Sequence, residues 1–224
     1  MSAPRRKCHI LVTLGPTWEF IDPIRFITNR ATGTFGCLIA REGLRRGHRV
    51  TCIAGPTTLL PLPKARWVNV VSAEEMYRAV ASAFPKADVL VMSAAVSDYR
   101  AKKVSHSKLK RVKKEMLLPL EANRDILESL HRKRRRQILI GFAVETENLL
   151  KNAFAKLREK GLDLIVANQV GKGQNPFGNH RLSVHFLWKD GRRRRLKKLS
   201  KRRIATALLE AIEELIAARQ VLAR

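Results

Sequence analysis

The sequence predicts an α/β fold with a doubly wound, mostly parallel sheet and an added β-hairpin. Short apolar, β-branched runs alternate along the chain with amphipathic segments, which is the pattern of parallel strands joined by helices. One run, 88–95, is almost continuously apolar, as expected for a strand covered on both faces of a parallel sheet. Near the C-terminal end, Asp190-Gly191 separates two further strand-like runs, and this dipeptide is typical of hairpin turns. Together these features predict a Rossmann-like architecture with the hairpin as an extension.

The first half of the chain predicts a parallel crossover followed by a second helix and strand. Apolar side chains recur at helical spacing over 34–46, and Gly47 ends that helix. The next helix begins with Glu74 and Glu75, which the positive end of the helix dipole favours, and it ends at Pro85. The elements predicted here are strands 8–13, 49–54 and 88–95 and helices 34–46 and 73–84.

The second half repeats the alternation after a Lys-rich polar break at 97–121. Ser200 precedes the last amphipathic segment and is a suitable N-cap. Gly and Asn residues over 170–181 predict a loop. The elements predicted here are strands 137–143 and 163–167, helix 146–160, a hairpin at about 182–199 and a final helix at about 201–222.

Composition limits the possible classes of protein. A chain of 224 residues with 45% hydrophobic residues suits a single domain. No apolar run approaches the ~18 residues of a membrane span, and the N-terminal run has no signal-peptide cleavage site. The three cysteines include no Cys-x-x-Cys spacing, so a reducing compartment, the cytoplasm, is expected. The net charge of +26 leaves a basic nucleic-acid-binding α/β protein as the alternative function.

Ligand-binding residues are expected just after the strands, where a parallel sheet collects its ligands. Gly15 follows the first strand, and a long stretch then leads to Gly33 and Gly36 at the start of a helix. Glycines there would let the backbone amides approach a phosphate, although they would equally serve tight packing. Neither G-x-G-x-x-G nor the P-loop pattern follows the strand, which argues against a nicotinamide-dependent oxidoreductase.

Four polar side chains near these positions are candidates for chemistry. Arg25 and Asn29 are four residues apart and would share a face if the segment were helical. Arg can bind a carboxylate or phosphate through two hydrogen bonds, and Asn can donate to an oxyanion. Asp98 follows the third strand and would accept from a base or sugar hydroxyl, hold a metal, or simply cap a turn. Lys108 lies in a Lys-rich lid loop at about 100–115, which would close over a triphosphate or remain a solvated surface.

Several motifs, in order along nearly the whole chain, resemble those of the bacterial phosphopantothenate–cysteine ligases. These include a lysine motif, a G-F-A-x-E-T motif and a strand that ends in Asn. The chain departs from the family pattern at Thr34, where the family usually has lysine, and at Arg124, where it has proline. The segments that carry the resemblance are 11–17, 22–29, 93–100, 108–111, 141–146 and 163–168.

The resemblance implies an amide-forming ligase of coenzyme A biosynthesis, with 1–224 as one free-standing ligase domain. The substrates would be 4'-phosphopantothenate, L-cysteine and CTP, with Mg2+ at the triphosphate. The carboxylate would attack the α-phosphate of CTP to give an acyl-cytidylate and pyrophosphate, and the cysteine amine would then displace CMP. The expected partners are a second copy, in a homodimer, and a separate flavin-dependent decarboxylase that acts downstream; no membrane and no specific nucleic acid are expected.

The resemblance also implies roles for individual residues, with the metal ligands left unassigned. Asn29 would hold the acyl intermediate, Arg25 would assist the cysteine step, and Lys108 would be the lid lysine at the phosphates. Gly15, Gly33 and Gly36 would leave room for phosphate. The remaining nucleotide-binding residues would be Met92, Ser93, Ala94, Asp98, Arg124, Asp125, Ile126, Leu127, Phe142, Lys156 and Lys160.

Overall fold

The computed structural model describes residues 7–111, 114–171 and 180–222. Its helices are α1 (Thr34–Arg45), α2 (Ala73–Ala83), α3 (Ile126–His131), α4 (Leu149–Glu159) and α5 (Lys201–Leu222). Its strands are β1 (His9–Leu14), β2 (Trp18–Phe20), β3 (Phe26–Thr28), β4 (Arg49–Ala54), β5 (Arg66–Asn69), β6 (Val89–Met92), β7 (Tyr99–Ala101), β8 (Leu120–Ala122), β9 (Ile138–Glu145), β10 (Leu164–Gln169), β11 (Leu182–Trp188) and β12 (Arg193–Leu199).

Eight of these strands form one sheet in the order β12-β11-β10-β9-β6-β1-β4-β5. The pairs from β10 to β5 are all parallel, whereas β11 and β12 add to the edge as an antiparallel hairpin. From β1 the chain first passes to β4 on one side and later returns to β6 on the other. The predicted doubly wound sheet with an added hairpin is therefore confirmed, and its switch point lies between β1 and β6.

Helices cover both faces of the sheet. Side chains of β1 alternate, so that Ile10 and Val12 pack in the cluster with α1 and α5, while Leu11 packs in the cluster with α2, α3 and α4. The buried residues of α5, such as Leu208 and Ile212, lie in the first cluster. The carboxyl ends of β1, β6, β9 and β10 consequently meet at one rim of the sheet, between two layers of helices.

Every predicted strand and helix is present, some with the predicted ends, such as β4 and α5, and the others with an end shifted by one to three residues. The strand predicted over 88–95 ends at Met92, and the helix predicted over 146–160 begins at Leu149. The prediction missed β2, β3, β5, β7, β8 and α3, each between three and six residues long. Such short elements contain too few residues for a hydrophobic period to emerge.

The segment between Arg25 and Asn29 is not helical. Its central residues form β3, which pairs antiparallel with β2 in a separate two-stranded sheet. The rings of Trp18 and Phe26 stack across that sheet with their centroids 4.2 Å apart. Pairing between aromatic side chains on opposite strands therefore overrides the helical spacing of the two polar residues.

Two predicted loops lie partly outside the described residues. These are the lid loop at about 100–115, of which 112–113 are not described, and the loop at 170–181, of which 172–179 are not described. All three cysteines are described, and all are buried thiols. Across the described ranges, no helix has the length and apolar character needed to span a membrane.

Candidate active site

An open cavity of about 550 Å³ lies over the carboxyl ends of the central strands. Its wall includes Gly15 after β1, Ser93 after β6, Phe142 in β9 and Asn168 near the end of β10. The starts of α1, α3 and α5 also contribute to the wall. This is the position at which an open α/β sheet binds ligands, at its switch point and beside helix N-termini.

Helix α1 approaches β1 and β6 so closely that only glycine fits at two positions. A Cβ on Gly36 would lie 2.5 Å from Ser93 Oγ and 2.6 Å from Leu14 Cβ. Gly33 has a φ of 77° and is the N-cap, with no side-chain cap and no acidic residue in the first turn of the helix. Tight packing and phosphate binding are therefore compatible roles for these glycines. Tight packing brings the positive end of α1 to the cavity wall, where it can attract a phosphate.

Asn29 reaches the cavity from the end of β3. Its Nδ2 donates to the carbonyl oxygens of Ala95 and Val96, both at 3.2 Å. The amide is therefore oriented by the loop that follows β6. Asp98, further along the same loop, is exposed and also lines the cavity.

Arg25 and Lys108 lie outside the cavity wall. The Arg25 guanidinium pairs with Asp22 and donates to the carbonyl oxygen of Leu109 at 2.7 Å. Asp22 is fully buried and also accepts from the amides of Ile24, Arg25 and Leu109. The hydrogen bonds from the Arg25 side chain and from these amides hold the pKa of Asp22 well below its usual value, against the effect of burial. The loop that carries Lys108 is therefore fastened to the 22–25 turn.

The start of α3 brings together the charged residues of the opposite wall. Asp125 caps the helix by accepting from the amide of Glu128 at 2.9 Å, and it pairs with Lys160 Nζ at 2.7 Å. Burial raises the pKa of Asp125, but the Glu128 amide and Lys160 together leave it lowered. Burial by itself would lower the pKa of Lys160. The contact of Lys160 with Asp125 and the charge of nearby carboxylates outweigh burial, so the pKa is raised above its usual value. Lys156 lines the cavity, whereas Lys160 does not and contacts Asp125.

Most of the predicted site residues meet at this one cavity, whereas Arg25, Lys108 and Lys160 do not line it. Those that line it are Gly15, Asn29, Gly33, Gly36, Met92, Ser93, Ala94, Asp98, Arg124, Asp125, Ile126, Leu127, Phe142 and Lys156.

Seven polar residues of the wall received no site role in the sequence analysis, namely Arg30, Thr32, Thr34, Ser97, Asn123, Asn168 and Lys201. Asn123 Nδ2 donates to the carbonyl oxygen of Ser97 at 2.9 Å. Ser97 Oγ and Asn168 Nδ2 are buried and have no hydrogen-bond partner within the part of the chain that the structure describes. Asn168 ends one of the motifs that carry the resemblance, and its position near the end of a strand is a signal for a ligand-binding role, whereas Lys201 is hidden in a long basic segment.

The carboxylates of the described cavity wall are those of Asp98 and Asp125. Residues 7–111, 114–171 and 180–222 contain no cluster of three or more His, Cys, Asp or Glu side chains that could hold a metal ion. Mg2+ commonly binds one or two carboxylates together with substrate phosphates. The donor set therefore fits a magnesium ion that arrives with a triphosphate, and it does not fit an all-protein metal cage.

Residues 5–216 match the model of one protein family, the DNA/pantothenate metabolism flavoprotein C-terminal domain. The chain belongs to this family. Curated relatives include the coenzyme A biosynthesis bifunctional protein CoaBC of Bacillus subtilis strain 168, which is 40% identical over 215 residues. The CoaBC protein of Haemophilus influenzae is 38% identical over 207 residues.

These family members are longer than the chain. The alignments cover 96% and 92% of this chain but only 53% and 51% of the two relatives. The chain thus spans about half the length of the curated relatives it matches. A crystal structure of the C-terminal domain of a CoaBC protein superimposes with a TM-score of 0.83 and 37% sequence identity, covering 97% of this chain and 100% of that domain. The likeness therefore extends over the whole sheet and both layers of helices.

Proposed function

We propose that the chain joins 4'-phosphopantothenate to L-cysteine as an amide, with CTP as the activating nucleotide. The observation that carries this proposal is the cavity at the sheet switch point, in a chain that belongs to the C-terminal domain family of pantothenate metabolism proteins. The wall of the cavity includes the start of α1, which glycine opens, the start of α3, which Asp125 caps, the oriented Asn29 and two lysines. The described wall contains no nucleophile–base pair. Such a wall suits nucleotide activation of a carboxylate, which depends on positioning and positive charge.

In the first proposed step, the carboxylate of phosphopantothenate attacks the α-phosphate of CTP and pyrophosphate leaves. In the second, the cysteine amine attacks the acyl carbon, CMP leaves with the bonding electron pair, and the amine gives up a proton. The positive end of α1 stabilises phosphate negative charge. Asn29 holds the acyl group at the rim, Arg25 supports the cysteine step, and Lys108 closes on the phosphates from its loop.

Magnesium belongs to the same proposal. Asp98 and Asp125 are the carboxylates available to hold it, together with the nucleotide phosphates. When bound, the ion would neutralise part of the triphosphate charge. A homodimer also remains part of the proposal because of the resemblance to the ligase family. A cytoplasmic location remains part of it because all three cysteines are buried thiols, as expected in a reducing compartment.

Steady-state assays test the reaction. Sustained release of pyrophosphate over many turnovers should require CTP, phosphopantothenate and cysteine together, and ATP should replace CTP poorly. Mass spectrometry should detect phosphopantothenoylcysteine. Absence of this product with both nucleotides would contradict the proposed function.

Two variants test the assigned roles. Asn29→Ala should abolish the amide product, whereas Asn152→Ala, which removes an exposed Asn on α4, should leave turnover unchanged. Lys108→Gln should lower kcat by roughly 10²–10³-fold, as expected for the loss of a charge that stabilises the transition state. Lys110→Gln in the same loop is its matched control. Undiminished turnover in Asn29→Ala would refute the role given to that residue.

A further inference from the structure

The lid loop is held at two points against the turn of the β2–β3 hairpin. The amide of Ser105 donates to the carbonyl oxygen of Ile21 at 2.9 Å. Further along the loop, the amide of Leu109 donates to Asp22 Oδ2 at 3.1 Å, and the carbonyl oxygen of Leu109 accepts from Arg25 Nη2 at 2.7 Å. Both backbone hydrogen-bonding groups of Leu109 are therefore engaged, and the peptide units on either side of it are held.

The Asp22 carboxylate is the centre of this contact. It is fully buried and accepts from the side chain of Arg25 as well as from three backbone amides, those of Ile24, Arg25 and Leu109. Hydrogen bonds to a charged acceptor are stronger than neutral ones, and removal of the acceptor would leave the donors unpaired. Lys108 immediately precedes Leu109, so its Cα is only one peptide unit from the anchored residue.

The other end of the same hairpin carries Asn29. The amide of Ile21 donates to the carbonyl oxygen of Arg25 at 2.8 Å and closes the turn, and the stacked rings of Trp18 and Phe26 brace the two strands. Asn29 directly follows β3, four residues of nearly extended chain after Arg25 and therefore roughly 13 Å away. One short, braced element thus connects the lid loop to the amide of Asn29.

We propose that Asp22 is a positioning residue of the ligase reaction, which fastens the lid loop to the hairpin and so holds Lys108 in place relative to Asn29. This inference rests on the proposed function, because both of those residues take their roles from it. Asp22 is buried and does not line the cavity, so it acts through the loop and not on a reacting atom. A misplacement of about 1 Å can lower a rate by about 10²-fold, so a loosened loop slows the reaction although the lysine is still present.

Hydrogen–deuterium exchange measures the fastening without any turnover. In Asp22→Asn, amides of the loop over 102–111 should exchange roughly 10–100-fold faster, because a charged acceptor is lost and an amide donor faces the same donors. Asp163→Asn is the matched control. Asp163 is also a buried carboxylate that accepts from arginine and from a backbone amide, but it precedes β10 at the end of the strand away from the cavity. Its replacement should leave exchange of the loop unchanged.

A double-variant cycle connects Asp22 with Lys108. Pyrophosphate formed in the first turnover, without cysteine, isolates the step assigned to the lysine. Asp22→Asn should slow this step by roughly 10–100-fold, while the CTP concentration for half-maximal rate stays within a few-fold and Asp163→Asn keeps the wild-type rate. In the Lys108→Gln background, Asp22→Asn should slow the step by less than about twofold, because the group that it positions is already gone. Losses that multiply in the double variant would refute the positioning role, as would a wild-type rate in folded Asp22→Asn.

Leu109→Pro covers the case in which Asp22→Asn does not fold. This substitution removes the donor on the side of the loop and leaves the buried carboxylate in place. It should reproduce both the faster exchange of the loop and the slower formation of pyrophosphate. Wild-type exchange and rate in Leu109→Pro would refute the inference.

The exchange measurement separates this inference from the proposed reaction. If the wild type forms no pyrophosphate but Asp22→Asn loosens the loop and Asp163→Asn does not, the fastening stands and the reaction is wrong. If the wild type turns over and neither Asp22→Asn nor Leu109→Pro changes exchange of the loop, the reaction stands and the inference is wrong. If the wild type does not turn over and exchange is unchanged, both are wrong.

Discussion

Gly36 marks the closest approach of α1 to the sheet, and alanine there should be destabilising. Its Cβ would meet Ser93 Oγ at 2.5 Å and Leu14 Cβ at 2.6 Å, so Gly36→Ala should lower the free energy of unfolding by about 1–3 kcal/mol. Gly43→Ala is the control in the same helix, because its Cβ would meet only the ends of side chains, at 3.2 Å from Val50 Cγ2 and at 3.5 Å or more from Ile10 and Leu209, and alanine favours helix by ~1 kcal/mol. Urea denaturation measures both, and equal effects would contradict the packing argument.

The Asp22 carboxylate should make a pH-dependent contribution to stability. Its pKa is lowered in the folded protein, so the contribution is fully present above the unfolded pKa of about 3.9 and is lost as pH falls through the folded value. The difference in free energy of unfolding between wild type and Asp22→Asn should therefore be constant from pH 6 to pH 5 and should shrink below about pH 4.

Urea denaturation across this pH range measures the difference. Glu115→Gln, which removes an exposed carboxylate at the end of the lid loop, should show little difference from the wild type at any pH. A gap for Asp22→Asn that widens as the pH falls would contradict the inferred direction of the shift.

At the scale of residues, the sequence predicted those positions whose chemistry follows a local pattern. Gly33 and Gly36 could be predicted as site residues because they open a helix after the first strand. Asp98 could be predicted because it follows the third strand. Lys201 could not be predicted from the sequence, because its basic neighbours give it no distinct signal. Its burial arises only when α5 packs back against α1. The fastening of Leu109 to Asp22 joins residues 87 apart in the chain, which no local pattern encodes.

At the scale of elements, α5 should contribute strongly to the core although it is last in the chain. Leu208 is fully buried in the α1/α5 cluster, so Leu208→Ala should lower the free energy of unfolding by about 2–5 kcal/mol. Glu214→Ala changes an exposed residue of the same helix and should stay within about 0.5 kcal/mol of the wild type. Thermal denaturation would contradict this account if both variants melted at the wild-type temperature.

Elements with a full hydrophobic period were predictable, whereas those stabilised by tertiary pairing were not. Helix α2 has its cap, acidic first turn and apolar face within its own sequence. Strand β3, by contrast, depends on pairing with β2 and on the stacking of Phe26 against Trp18. Helix α3 is only six residues long and is recognisable mainly by the Asp125 cap, a weak signal without the surrounding structure.

At the scale of the whole molecule, the net charge of +26 should make stability depend on salt. Arg193, Arg194 and Arg195 are exposed on the edge strand β12, where charge also discourages pairing between sheets. Like charges repel less when salt screens them. Raising NaCl from about 0.05 M to about 0.5 M should therefore raise the Tm, by roughly 2–4 °C for each kcal/mol of repulsion that is removed.

The same salt series tests the alternative function. Nonspecific binding to nucleic acid should weaken by orders of magnitude over this range, because it depends on counterion release. Replacing Arg193 and Arg195 with Gln should reduce both salt effects. Tight nucleic-acid binding that persists at about 0.15 M salt would instead favour a nucleic-acid-binding function.

A quench experiment without cysteine tests the central claim, that this cavity activates a carboxylate with CTP. The chain, CTP, Mg2+ and phosphopantothenate are mixed, and pyrophosphate and CMP are measured over time. The account predicts a burst of pyrophosphate close to the concentration of the chain, with CMP released only after cysteine is added. Absence of pyrophosphate until cysteine is present, or release of CDP and phosphate instead, would contradict it.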